Sequence, residues 1–427
     1  MRVQDYFSGV AGVSEKLTKL IEGEKEVVSR SVSLSLLHQK KKDAIMQKVK
    51  TEPDKNSGRD GGISIGRVVN SVGCGAINVD FLATVVKFPK PDDKIRSTSL
   101  KVQGGGNTGN TSTCAARLGL TPRVISKVHF EVDETACHKR DSSGGIHLKL
   151  LVANDAQGRS ILEELKADGV DTSYIVVSEE GNSPFTYRLI NLVSISRKSR
   201  TCIHTPGHPA MVPADLSQSS LLSALDGARI VYFDGRLHET ALVVAKEATR
   251  KQLPVLVDAE RKREGLDDLL NLADYAVCST KFPLAWTEAQ SIPSALVSIM
   301  LRLPQLKFVI VTLGENGCIM LERNLTEEPE SEEVDVDGLL ESLKQRVTTS
   351  KVIPTCISSK SMMWLNAAGI GKVSGRLLLG TAEKIPPSEL IDSTGAGDAF
   401  IGAVLYVRLL SLINKTKLVD LRLSLVL

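Results

Sequence analysis

The sequence predicts a doubly wound, three-layer α/β fold, with a mostly parallel central sheet covered by helices on both faces. Three observations predict it. From residue 123 onward, short apolar runs alternate with amphipathic stretches of helical period, the pattern of repeated βα units. The later apolar runs are continuous, as strands buried on both faces must be. A small-residue turn, Gly395-Ala396-Gly397, opens the last amphipathic stretch, where Phe400, Val404 and Val407 recur at i, i+4 and i+7. Crossovers in such a fold are right-handed, and ligands lie off the carboxyl ends of the strands.

Taken in order, residues 1–66 read as an N-terminal extension. It has loose helical periodicity over 13–37, a basic run Lys40-Lys41-Lys42 and a polar linker over 51–62, a composition that favours disorder. The folded domain is expected over 67–427. A strand over 68–75 ends in glycines. The Gly73-Cys74-Gly75 turn lacks the third glycine of a dinucleotide fingerprint, and Asn-Val-Asp follows where a helix is required, so that motif is rejected. Residues 94–102 read as an edge hairpin and 111–118 as a helix. Strands are expected over 124–128, 185–192, 201–204, 230–233, 255–258, 275–278 and 308–313. Helices are expected over 157–168, 216–225 and 239–251. Residues 128–152 look inserted and should form an exposed loop. Residues 324–366 begin with an acidic run and read as a mobile surface excursion.

Composition narrows the function classes. A net charge of +3 on 427 residues argues against nucleic acid or membrane as the main partner. No apolar run reaches the ~18 residues of a membrane span. The seven cysteines are scattered and form no CxxC pair, which suits reduced thiols in the cytoplasm. Cys137, His138, His129 and His147 match no standard zinc spacing. The N-terminus lacks a secretory apolar core, and Glu15, Glu22, Glu24 and Glu26 disfavour a transit peptide.

The chemistry-bearing stretch is Asp392-Ser393-Thr394-Gly395-Ala396-Gly397-Asp398. At a helix N-terminus the first amides have no intrahelical partner and the dipole adds positive charge. Small side chains let the backbone approach a phosphate closely. A carboxylate there, Asp398, can accept a hydroxyl proton while the amides hold a phosphoryl group. An ordinary capped turn is the plain alternative. Upstream, Asp80 follows a predicted strand, and Gly104 to Asn110 forms a glycine-rich loop with two asparagines. Carboxylate and carboxamide groups at such places suit the hydroxyls of a polyol. Asp80, Arg236, Gly314 and Asp398 all follow predicted strands, so one cleft is expected to hold all four.

The motif DSTGAGDAFIGAVL, with GGGNTGN and Ala115-Ala116-Arg117-Leu118-Gly119 upstream, resembles the two signatures of the ribokinase-like (phosphofructokinase-B) carbohydrate kinases. Within that family the segment KFPKPDDKIRSTSL looks most like the ketohexokinases. The resemblance implies a ribokinase-like fold with a small β lid, and ATP-dependent phosphorylation of a sugar hydroxyl with Mg2+. It implies Asp398 as base and Gly395, Ala396 and Gly397 as anion hole. It implies sugar contacts at Asp80, Asp92, Gly106, Asn107 and Asn110, and nucleotide contacts at Arg236, Gly314, Glu315 and Gly317. In some relatives the place of Asp392 shapes a monovalent-cation loop; a capping role is the other reading. The segment 94–102 is expected to act as a lid and to pair with a second copy into a homodimer.

The sequence also departs from that pattern. Ser279-Thr280-Lys281-Phe282 stands where many relatives carry Asn-x-x-Glu, so the metal ligands are unassigned, with Asp258 and Glu260 as candidates for the metal's water shell. Residues 406–427 do not resemble the further helices of relatives, which reads as a truncated C-terminus. A catalytically weak sugar or nucleotide sensor on the same fold is therefore the rival reading.

Overall fold

The computed structural model describes residues 70–129, 154–191, 200–325, 333–347, 354–359, 362–386 and 393–414. The N-terminal extension, most of the 128–152 insertion, Asp392 and the last thirteen residues lie outside these.

The first strand, β1 (Asn70–Cys74), is buried over its last four residues. The chain then forms β2 (Asn78–Val85), β3 (Ser99–Gly105), α1 (Asn107–Arg117) and β4 (Thr121–His129). Next come α2 (Asn154–Ala167), β5 (Ile175–Ser178), β6 (Phe185–Asn191) and β7 (Arg200–Thr205). The alternating half begins with α3 (Gln218–Leu225), β8 (Ala228–Phe233), α4 (His238–Arg250) and β9 (Val255–Ala259). It continues through α5 (Leu266–Leu270), β10 (Tyr275–Ser279), α6 (Phe282–Thr287) and α7 (Ile292–Arg302). Then follow β11 (Phe308–Thr312), β12 (Cys318–Arg323), β13 (Glu333–Asp335) and α8 (Val336–Gln345). Last are β14 (Cys356–Ser358), β15 (Met363–Ala367), β16 (Gly371–Gly380) and α9 (Ala396–Asn414).

Among the described residues one sheet holds twelve strands in the order β13-β15-β16-β12-β11-β10-β9-β8-β1-β4-β5, with β14 on β16. From β5 to β11 every pair is parallel. Strands β12, β14, β15 and β16 add antiparallel pairs at the other end. Alternation within β8 shows why the sheet needs two covers. Val231 and Phe233 join the apolar cluster with α3, α4, α5, α7 and α8, whereas Ile230 and Tyr232 face α1 and α9. Each such side chain contributes roughly 1.5–3 kcal/mol when fully buried, so both faces must be covered. This is the expected α/β/α layering.

A second, four-stranded sheet, β3-β2-β6-β7, stands apart from the first. It is built from the segments that follow β1 and β5. Residues 94–98 are not strand: the hairpin partner of β2 is β3, displaced toward the glycines.

The expected excursion over 324–366 is a departure from the sequence reading. Over its described residues it supplies β13, α8, β14 and most of β15. The acidic run masked a helical stripe: Val336, Leu340 and Leu343, at i, i+4 and i+7, are all buried in the main core. Asp335 caps the helix, accepting a bond from the Gly338 N–H at 2.7 Å. Ser294 on α7 donates to Asp337 at 2.7 Å. Charge density thus sits on one face only. Among the described residues no helix is long and apolar enough to cross a membrane.

Leu340→Ala should lower stability by about 2–4 kcal/mol, the usual cost of emptying a core leucine site. A fall in the urea midpoint at constant slope checks this; an unchanged midpoint would mean that α8 does not belong to the core.

Candidate functional site

The carboxyl ends of β1, β8 and β9 meet the N-termini of α1 and α9, and the site is built there. Asp234 follows β8 and is fully buried. It accepts bonds from the Ala76 N–H (2.7 Å), the Thr108 hydroxyl (3.0 Å) and the Arg236 N–H (3.0 Å). One carboxylate therefore joins three loops. Burial raises its pKa, and the Arg236 charge with these bonds pulls it back. The close packing needs glycine: a Cβ on Gly75 would lie 2.1 Å from Asp234 Oδ1. At Gly106 a Cβ would lie 2.4 Å from the Ala76 carbonyl, and φ is 88°.

Asp398 lies in the first turn of α9. Its Oδ2 accepts from Asn110 Nδ2 of α1 at 2.7 Å. The Thr111 hydroxyl donates to the Asp398 carbonyl at 3.2 Å. Burial pushes the Asp398 carboxyl up to about 6; the Asn110 bond lowers it, Asp234 raises it, Arg188 lowers it and Glu260 raises it. Asp258, at the end of β9, is held well above the usual carboxylate range by burial and by the charges of Asp398, Glu260 and Asp234. It accepts from Asn107 Nδ2 at 3.4 Å. Glu260 is pushed up by burial, but Arg261, Arg263 and Arg236 outweigh this and hold it low; Arg263 contacts it at 2.6 Å.

These groups open into a cavity of about 380 Å³. At one end it is lined by Thr186, Arg188, Cys202 and His204 of the small sheet, with Asn78, Gly106 and Asn107. At the other it is lined by Cys278, Ser279, Thr312 and Ile401. Gly395, Gly397 and Asp398 lie on its wall, as do Arg236, Asp258 and Glu260. A Cβ on Gly397 would meet nothing within 4 Å, so the backbone there is open to a ligand.

The structure brings together Gly106, Asn107, Arg236, Gly395, Gly397 and Asp398, with Asn110 touching Asp398 from behind. Besides Asn110, six of the expected site residues lie off this lining. Ala396 does not line the cavity, and its N–H turns back to the Ser393 carbonyl at 3.3 Å. Asp80 is fully buried behind the lining; it is ion-paired with Arg188 Nε at 2.9 Å and accepts from Asn78 Nδ2 at 2.7 Å. Asp92 sits in an exposed loop at φ 65° and lines nothing here. Gly314, Glu315 and Gly317 lie just past Thr312 and are not part of the lining. Gly317 has a packing reason instead, since a Cβ would lie 2.0 Å from the Gly380 carbonyl. Of Asp80, Arg236, Gly314 and Asp398, the cavity lining takes in Arg236 and Asp398.

Sequence reasoning missed Asp234 and Arg188. Both carry a readable signal: Asp234 directly follows a buried run, and Arg188 interrupts the otherwise uncharged strand 185–191.

Asn110→Ala removes the bond that favours the charged form of Asp398. Its carboxyl pKa should then rise further above about 6, read by NMR titration of the labelled carboxyl. A pKa that stayed put or fell would contradict the role assigned to Asn110.

Comparison with known proteins now adds to the geometry. The family model described as pfkB family carbohydrate kinase matches residues 142–338. Three solved structures share the fold. One is a protein from Agrobacterium tumefaciens assigned as a ribokinase, 20% identical, TM-score 0.54, covering 83% of this chain and 88% of that one. Another is the Arabidopsis thaliana ribokinase complexed with ribose and ATP, 16% identical, TM-score 0.52, covering 83% and 90%. The third is a microbiome-derived acarbose kinase, 16% identical, TM-score 0.53, covering 84% and 90%. The chain thus matches the pfkB carbohydrate kinase model over residues 142–338 and shares the ribokinase-like fold with these structures.

Proposed function

We propose that this protein transfers the terminal phosphoryl group of ATP to a hydroxyl of a sugar or sugar-like alcohol, with Asp398 as general base. The observation that carries the reading is Asp398 itself. It stands on the cavity wall between two cavity-lining glycines and the Asn110 carboxamide, at the positive end of α9. A carboxyl pushed up to about 6 is mostly ionised at neutral pH, yet is a stronger base than an ordinary carboxylate.

The acceptor sugar occupies the small-sheet end, against Asn78, Gly106 and Asn107. The nucleotide occupies the end formed by Ser279, Thr312 and Ile401. The acceptor hydroxyl gives its proton to Asp398 as its oxygen bonds to the terminal phosphorus, and the bond from that phosphorus to the ADP oxygen breaks. The open backbone at Gly395 and Gly397, with the helix dipole, offsets the charge on the moving phosphoryl group. Arg236 presents a planar fork of donors toward the phosphates.

Among the described residues no group of three His, Cys, Asp or Glu side chains could hold a metal ion. Mg2+ fits instead as an ion carried mainly by nucleotide phosphates and water, with Asp258 and Glu260 as outer partners. It supplies neutralisation of phosphate charge. A monovalent cation is proposed only by analogy, because Asp392 lies outside the described residues. Scattered thiols support a cytoplasmic location.

The outer face of the small sheet supports a homodimer. Leu100, Val102, Tyr187 and Ile203 are half or more exposed on it, an unusual apolar area for a free surface. Ile203→Asp should convert a dimer to a monomer in sedimentation velocity; a parent chain that is already monomeric at micromolar concentration would refute this.

Asp398→Asn should reduce phosphoryl transfer by on the order of 10²–10⁴-fold while ATP still binds. In the parent, kcat/KM should fall as pH drops below about 6, because protonated Asp398 cannot accept the hydroxyl proton. Parent-like turnover by the asparagine variant in an ADP-release assay would remove Asp398 from the mechanism.

A further inference from the structure

The small-sheet end of the cavity carries a cationic side chain, Arg188, with Arg236 nearby on the wall. Strand alternation puts Asp80 of β2, Thr186 and Arg188 of β6, and Cys202 and His204 of β7 on one face, in register across the sheet. All but Asp80 line the cavity.

Arg188 is the unusual member. Its side chain is only 15% exposed, and its Nε lies 2.9 Å from Asp80 Oδ2 as an ion pair without hydrogen-bond geometry. Among the described residues neither terminal guanidinium nitrogen donates a hydrogen bond to the protein. Four N–H groups of a buried cation are thus left to the cavity. Such donors are costly to leave unmatched, so a ligand with strong acceptors is the natural partner. Arg236, 25% exposed, reaches Glu260 only at 3.7 Å, and its Nε is buried without a partner. Partial burial, Arg236, Arg188 and Arg263 all press the His204 pKa down, and only Asp80 opposes them. Two cations, Arg188 and Arg236, thus border this part of the cavity.

We propose that Arg188 makes this end of the cavity selective for a sugar-like substrate that carries an anionic group, a carboxylate or a phosphate ester, away from the hydroxyl that is phosphorylated. The planar fork of the guanidinium matches both anions in bidentate fashion. Asp80 lies beside Nε as its counter-charge and leaves the terminal nitrogens of the fork to the ligand. The inference rests on the kinase reading for the fate of the substrate, but anion binding is separable from turnover.

The test is calorimetry on the full chain without nucleotide, using D-gluconate, D-fructose 6-phosphate, D-fructose and D-ribose as probes. At least one anionic probe should bind about tenfold or more tighter than both neutral ones, a difference of ~1.4 kcal/mol. Tighter gluconate assigns a carboxylate, and tighter fructose 6-phosphate a phosphate ester. Arg188→Gln should remove that preference while changing neutral-sugar binding less than about twofold. Because it leaves Asp80 buried without its partner, Arg188→Lys is the second variant. It keeps the pair and loses the fork, and should weaken the anion several-fold. Equal binding of anionic and neutral probes by the parent overturns the proposal. So does failure of both anionic probes to bind, or an equal loss for both classes in Arg188→Lys. An ADP-release assay keeps the two readings apart. Tight anion binding with no transfer to any acceptor would defeat the kinase and leave the anion site. Turnover of neutral sugars that bind as well as the anions would do the reverse.

Discussion

The contact between α1 and α9 is the constraint on which the site depends. These helices are separated in sequence by nearly the whole domain, yet they share one face of the sheet and approach closely. A Cβ on Gly402 would lie 2.8 Å from Cys114 Cβ and from the Thr111 carbonyl. Cys114 Sγ reaches the Ala399 carbonyl at 3.3 Å. Only at this separation can Asn110 reach Asp398 at 2.7 Å. The apolar stripe of α9, with Phe400, Ile401, Val404 and Leu405 against Tyr232, Val277 and Ile310, supplies the burial that holds the helix there. The sheet and helix packing therefore sets the position of the proposed base.

That position gathers carboxylates that repel one another. Burial raises the pKa of Asp258 first, and Asp398, Glu260 and Asp234 raise it further; Asp398 is raised by burial and then by Asp234 and Glu260. The fold contains the repulsion in two ways. Asp234 spends its oxygens on loop amides and the Thr108 hydroxyl, and so acts as a brace. Arg236, Arg261 and Arg263 surround Glu260 at the rim. The result is a carboxyl of intermediate basicity at Asp398, set by its surroundings rather than by its own chemistry.

The small sheet serves two environments with one pleat. Its inner face is polar and carries Thr186, Arg188 and His204 into the cavity. Its outer face carries Leu100, Val102, Tyr187 and Ile203, with Phe81 and Tyr187 rings 5.0 Å apart. Because side chains alternate strictly along a strand, a one-residue slip would exchange these faces. The ladder from Asp80 to Thr186 to His204 fixes the register.

By itself the sequence determined the layering, the strand order of burial and the two glycine-rich motifs. These depend on local periodicity and on residue types that only certain backbones tolerate. That Asp398, Asn107 and Gly106 border one cavity was legible for the same reason, since each belongs to a short motif with its own geometry. Tertiary structure decided what no local pattern encodes. It put Asp80 behind Arg188, left Gly314 and Glu315 beyond the cavity, and turned an acidic stretch into a helix with one buried face. Which polar groups meet depends on strand register and helix approach between segments more than a hundred residues apart. Those distances are set by side-chain packing, which only the folded chain brings into being.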